Sequence, residues 1–203
     1  MRFLLQSASF IFHPLWVPIA GSCFYFIFTP RYFPEGIIKA KLLAIAILSI
    51  FIPVVFYFLL KNLGKAESVF LKNVGERKWP LFFFGILMIM LLNQIINVYD
   101  YAALYYFYVG ILISTLLAFI LVLFKFKASL HMMGLGGLIS FLIILSLGFQ
   151  INIVYTICFF ILGLGFTASS RIYYKAHSFR ELFVGLLIGV LPQFIYLYLP
   201  TWL

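Results

Sequence analysis

A chain of 203 residues that is 66% hydrophobic and only 9% charged, with mean hydropathy +1.17, lacks the polar side chains to cover a water-exposed globule. It reads as an integral membrane protein with too little polar sequence for a separate soluble domain, so residues 1–203 are expected to form one membrane domain. The formal charge of +9 does not point to nucleic acid, because the basic residues flank apolar runs, where they anchor helix ends and meet anionic headgroups or phosphate.

A helix needs about 20 apolar residues to cross the hydrocarbon core, where every backbone polar group must be satisfied internally. On that measure the chain is an all-α, polytopic transmembrane bundle of about 6–7 spans. They fall near residues 8–29, 38–60, 80–97, 101–124, 131–149, 152–169 and 182–200. The opening MRFLLQSASFIFHPLW is expected to be a retained first span rather than a cleaved signal, with His13 packed inside it before Pro14. Cys23 and Cys158 lie within apolar runs and behave as small hydrophobes, so neither a disulfide nor a metal site is indicated. The short connections near 97–101 and 148–152 make their flanking helices antiparallel neighbours. Asn93, Gln94 and Asn97 are expected to hydrogen-bond between helices, and Gly134, Gly136, Gly137 and the Gly185/Gly189 pair to permit close helix packing.

Parity then sorts the loops. With the start of the chain on one side, loops 61–79, 125–131 and 170–181 share that side, together with Arg2, Lys61, Lys65, Lys72, Arg77, Lys78, Lys125, Lys127, Arg171, Lys175 and Arg180. The opposite side keeps Arg31, Lys39 and Lys41, so the positive-inside rule puts the cation-rich side in the cytoplasm. Each same-side loop carries a cluster: LKNVGERKWP at 71–80, KASLH at 127–131 and SSRIYYKAHSFRE at 169–181. Several cations, a hydroxyl and two imidazoles suit a phosphoryl group, whose oxygens gather charge as it is transferred. His177 and Glu181 are four residues apart, so a helix beginning near Ser178 lets the carboxylate orient the ring.

Residues 170–181 resemble the third motif of the type 2 phosphatidic acid phosphatase superfamily, which includes lipid phosphate phosphatases and vanadium haloperoxidases. That motif is Ser-Arg, five residues, His, three residues, Asp; here Ser170, Arg171 and His177 match, with Glu181 in the Asp position. Ala128-Ser129-Leu130-His131 is similar to the family's Pro-Ser-Gly-His, with Ser and His kept. Lys72 to Pro80 resembles Lys, six residues, Arg-Pro, with Trp79 in place of the arginine. The Phe12-His13-Pro14 start is similar to that of a divergent bacterial branch.

The resemblance implies a membrane lipid phosphatase acting on a phosphomonoester or diphosphate of a lipid, placed in a bacterial inner membrane. His177 would attack phosphorus to form a phosphohistidine, Glu181 would hold its other nitrogen, and His131 would protonate the leaving oxygen and later activate water. Lys72, Ser129 and Arg171 would hold the phosphoryl oxygens, with Arg77 or Lys78 standing in for the missing arginine and Lys127 adding a cation. Tyr173 and Tyr174 would shape a headgroup or isoprenoid pocket. No metal and no cofactor is implied. The expected partners are the lipid phosphate substrate and membrane lipids, with no nucleic acid. The altered first and second motifs leave a second expectation, an inactive member serving as a lipid-binding or assembly subunit of a larger membrane complex. Relatives in the family often carry the site on the outer face, opposite to the side the cation distribution selects.

Overall fold

The computed structural model describes residues 7, 9–65 and 73–198. These form seven helical rods, and no strand occurs among the described residues. In chain order they are α1 (Pro14–Phe28), α2 (Glu35–Asn62), α3 (Lys78–Gln94), α4 (Ala102–Leu123), α5 (Leu130–Gly148), α6 (Val154–Tyr173) and α7 (Phe179–Val190). Four of them, α2, α4, α5 and α6, are long and apolar enough to cross a membrane.

Two prolines shape the ends that matter. Pro53 has no N–H to give the Ser49 carbonyl, and α2 widens into a π-helical stretch over Ile47–Phe51 just before it. Pro192 likewise cannot donate to Ile188, and beyond α7 the chain tightens into a 3-10 helix over Leu191–Tyr198. That change of pitch turns Gln193 inward, where it is fully buried.

α5 is the central rod, with 72% of its apolar window buried, more than any other candidate span. Its Phe141 stacks on Phe107 of α4 with ring centroids 4.2 Å apart, and Leu138, Leu142 and Leu145 fill the same core. A buried polar knot joins α1 to α4: Ser22 Oγ and Tyr108 Oη lie 2.7 Å apart and 2.9 and 3.0 Å from the Pro18 carbonyl, so one hydroxyl can donate to that carbonyl while the other donates to its neighbour. Large apolar side chains such as Leu116, Ile120, Phe159, Leu162 and Phe166 face outward, a surface suited to hydrocarbon rather than water.

The glycine pair of α7 packs as its spacing predicts. A Cβ on Gly185 would lie 2.5 Å from the Ser129 carbonyl oxygen, and one on Gly189 would fall on the Met133 backbone. Only glycines let α7 lie this close to the first turn of α5, and that closeness is what brings loops 124–129 and 174–178 together. Asn97 departs from expectation: its side chain bonds Asp100 Oδ2 at 3.1 Å and Tyr99 N at 2.9 Å, closing its own hairpin instead of bridging helices.

Candidate active site at one end of the bundle

The site begins with a helix start. Ser178 caps α7 by accepting from Glu181 N at 3.4 Å, while Glu181 Oε2 accepts from Ser178 N at 2.9 Å, a reciprocal capping box. The same Oε2 lies 3.1 Å from His177 Nδ1. A carboxylate only accepts, so Nδ1 carries the proton and Nε2 keeps its lone pair. Glutamate therefore serves two partners with one oxygen, and its longer arm suits the cap as well as the ring. Lys175, at φ 50, makes the left-handed turn that stops α6. It folds the chain back so that Ala176 N and His177 N both point at the Arg171 carbonyl, at 2.9 and 3.4 Å.

The neighbouring loops lock onto this corner. Ser129 N donates to the Glu181 carbonyl at 3.0 Å, and Lys127 Nζ donates to the Ala176 carbonyl at 3.1 Å. Arg77 ends a 3-10 turn ahead of α3, is buried, and donates through Nη1 to the Ala128 carbonyl at 2.7 Å. Its Nη2 lies 3.5 Å from His177 Nε2, so a fixed cation stands where the ring's lone pair points.

His131, in the first turn of α5, has Nε2 between the Ser9 carbonyl at 3.1 Å and Arg171 Nη2 at 3.3 Å. That nitrogen can hold a proton against the carbonyl or give it up and accept from the guanidinium, which suits a group that passes a proton. Ser9 is fixed in turn by a 2.7 Å hydroxyl contact with Ser170. The His13 ring stands edge-to-face on His131 with centroids 5.2 Å apart. His13 Nδ1 accepts from Leu15 N at 3.3 Å, so its Nε2 carries the proton and can donate.

All three histidines of the chain, with Arg77 and Arg171, line the polar end of one cavity of about 350 Å³, and most of the remaining wall is apolar. Ser129 Oγ is fully buried beside this region, outside the cavity lining, with no hydrogen-bond partner among the described residues. Burial first, then Arg77 and Lys127, hold the His177 imidazole at about 4, although Glu181 pulls the other way. At neutral pH the ring is thus an uncharged base with an available lone pair. Burial lowers Arg77 to about 10, where it still carries its charge. Burial and Arg77 likewise place Lys127 below the ordinary lysine range.

Of the residues expected from the sequence, Ser129, His131, Arg171, His177 and Glu181 converge, and Arg77 joins them. Lys72 lies outside the described residues. Lys78 does not belong to the site: it is exposed and sits over the Trp79 ring, 5.8 Å from its centroid. Trp79 itself is 45% exposed, with Lys65 on it as well, so the ring does not fill the cavity. Lys127 ties two loops together and does not line the cavity. Tyr173 and Tyr174 are about half exposed, pack edge-to-face on each other and do not line this cavity. One contributor escaped the sequence reading: Ser9, which carried no signal; His13, expected mainly as a packed histidine before Pro14, also stands at the site. Family models, curated proteins and solved structures return no match to this chain.

Proposed function

We propose that this protein is a membrane lipid phosphatase of the type 2 phosphatidic acid phosphatase superfamily, crossing the bilayer with six or seven helices. The observation that supports it best is His177: Nδ1 is held by Glu181, while Nε2 faces a cavity end furnished with two guanidiniums and two further imidazoles. In the reaction, the Nε2 lone pair attacks phosphorus as the bond to the leaving oxygen breaks, and protonated His131 gives that oxygen its proton. Water then attacks the phosphohistidine, His131 takes a proton from it, the P–N bond breaks, and inorganic phosphate leaves. Arg77, Arg171 and Ser129 hold the phosphoryl oxygens as charge develops on them. Arg77 fills the role of the motif arginine from two positions earlier in the chain. Because the site lies at helix ends, a lipid can keep its chains in the bilayer while its phosphate reaches the loops. The bacterial inner membrane is the proposed setting, by the resemblance of the Phe12-His13-Pro14 start.

The test is phosphate release by the purified protein from a lipid phosphate in detergent micelles, with and without His177→Ala, alongside trapping of an acid-labile phosphoprotein. Release and trapping by the natural chain, with both lost in the variant, is the expected result. Release that survives in the variant rejects His177 as nucleophile. Binding of lipid phosphate with no release by either protein favours the lipid-binding or assembly subunit.

A further inference from the structure

The cavity does not end in hydrocarbon. Its lining also takes in Met133, Gly134 and Gly137 of α5 and a polar floor of Gln193, Ser114 and Thr115, with the Gln193 amide beside Gly137. Six residues of helix separate His131 from Gly137, so this floor lies about 9 Å inward of the phosphate end. Gln193 is fully buried, and Gly110 and Gly137 make room for its amide; a Cβ on Gly110 would stand 2.8 Å from Oε1. Its Nε2 donates to the Phe107 carbonyl at 3.4 Å, which fixes the amide's orientation, because the reversed amide would set two acceptors against each other. Gln193 Oε1 is left with no partner among the described residues. Ser114 and Thr115 donate to the Gly110 and Ile111 carbonyls, each at 2.8 Å, so they too have only acceptor capacity left.

The floor is therefore acceptor-only, in a lining that is largely apolar away from the histidines and arginines. A plain methylene chain lying against it would keep Gln193 Oε1 desolvated and unbonded, whereas a chain carrying a hydroxyl or an amide N–H would satisfy it. We propose that Gln193, with Ser114 and Thr115, forms a second recognition point for a hydrogen-bond donor carried on the lipid chain about 9 Å from the phosphorus. This subsite rests on the phosphatase reading for its phosphate end, and it narrows the substrate class to lipids with a polar group partway along a chain.

Three single-chain alkyl phosphates of equal length test it: one plain, one with a hydroxyl and one with a secondary amide placed about 9 Å from phosphorus. The natural chain is expected to turn over the hydroxyl or the amide compound with kcat/KM on the order of tenfold above the plain one. Which compound gains tells a hydroxylated from an amide-linked chain. Gln193→Met should level the difference and leave the plain compound within about threefold. The matching phosphonates, which are not hydrolysed, are run in parallel by thermal shift, with Ser114→Ala as a second variant should Gln193→Met fail to fold. Discrimination in thermal shift without turnover of any phosphate retires the phosphatase reading and keeps the subsite. Equal turnover and equal shifts for all three chains, as a water-filled floor would give, overturn the subsite and leave the phosphatase reading standing. Discrimination that persists in Gln193→Met also overturns it.

Discussion

His177 carries opposing demands: burial, Arg77 and Lys127 disfavour its cation, while Glu181 favours it, and the outcome is a neutral ring with its lone pair beside Arg77. Following the His177 carbon or nitrogen resonances in the ligand-free protein should give a titration midpoint near 4. Below that pH the ring is protonated and has no lone pair; above it Nε2 keeps one, as a nucleophile needs under the phosphatase reading. Arg77→Gln removes a cation and should raise the midpoint, whereas Glu181→Gln removes the stabilising anion and should lower it further. A midpoint that moves the same way in both variants would contradict this electrostatic account. His13 is the residue whose assignment the structure changed most. Its Nδ1 caps the turn at Leu15, leaving an N–H to donate beside His131. Under the phosphatase reading, His13→Ala should lower kcat by about 10- to 100-fold, and His13→Asn, which can both cap and donate, should recover part of it. Equal loss in Ala and Asn would argue against a donor role. Sequence could single out His177, His131 and Arg171 as a candidate set because motif spacing is local. It could not choose between Arg77 and Lys78, because that depends on which side of a short 3-10 turn faces the loops.

At the scale of elements, the site exists because α5 and α7 touch. Gly185→Ala forces a methyl group onto the Ser129 backbone, which cannot rotate aside as a side chain could. Pushing the helices apart should destabilise the fold by about 1–3 kcal/mol and move Ser129 and His131 away from His177. Thermal unfolding in detergent checks this against Gly165→Ala on α6, where a new Cβ meets nothing within 4 Å and should be neutral or stabilising by about 0.5–1 kcal/mol. A Tm drop of equal size in both variants would refute the packing argument. The loop between α6 and α7 makes a second case. Lys175 sits at φ 50, a conformation in which a Cβ is strained by about 1–2 kcal/mol. Lys175→Gly should preserve stability and activity, while Lys175→Val, β-branched at the same φ, should lose both. The helices themselves were legible from apolar run length, and so was the close packing from the glycine spacing. The left-handed turn was not, since lysine gives no signal for positive φ. Nor was the polar floor, since Gln193 reads as an isolated amide in an apolar run until Pro192 and the 3-10 pitch turn it inward.

For the whole molecule, the remaining question is how the rods meet the bilayer. Four are long enough to cross unaided, while α1, α3 and α7 are shorter, yet all three pack into the same bundle. Contacts fix two opposite ends. At one, Lys127 reaches Ala176, Arg77 reaches Ala128, and Lys65 covers Trp79. At the other, Arg31 donates to the Asp100 carbonyl at 3.3 Å and Lys41 to the Ile95 carbonyl at 2.6 Å. If all seven rods cross, single cysteines at Lys65, Lys125 and Lys175 must lie on one side of the membrane, and those at Tyr32, Tyr99 and Gln150 on the other; all six positions are exposed. The charge distribution also predicts which side is which. Arg77, Lys127 and Arg171 are engaged in contacts at the candidate site and are set aside in the count. Leaving them out still places Lys61, Lys65, Lys78, Lys125, Lys175 and Arg180 at the site end, against Arg31, Lys39 and Lys41 at the other, with Lys39 paired to Glu35 at 2.9 Å. The site end should therefore face the cytoplasm. In a background with Cys23 and Cys158 replaced by serine, a membrane-impermeant maleimide applied to intact cells should label only the Tyr32, Tyr99 and Gln150 variants. Labelling of the lysine positions instead would put the candidate site outside and overturn the orientation drawn from the charge distribution. Labelling split within either group would mean that at least one short rod turns back before crossing.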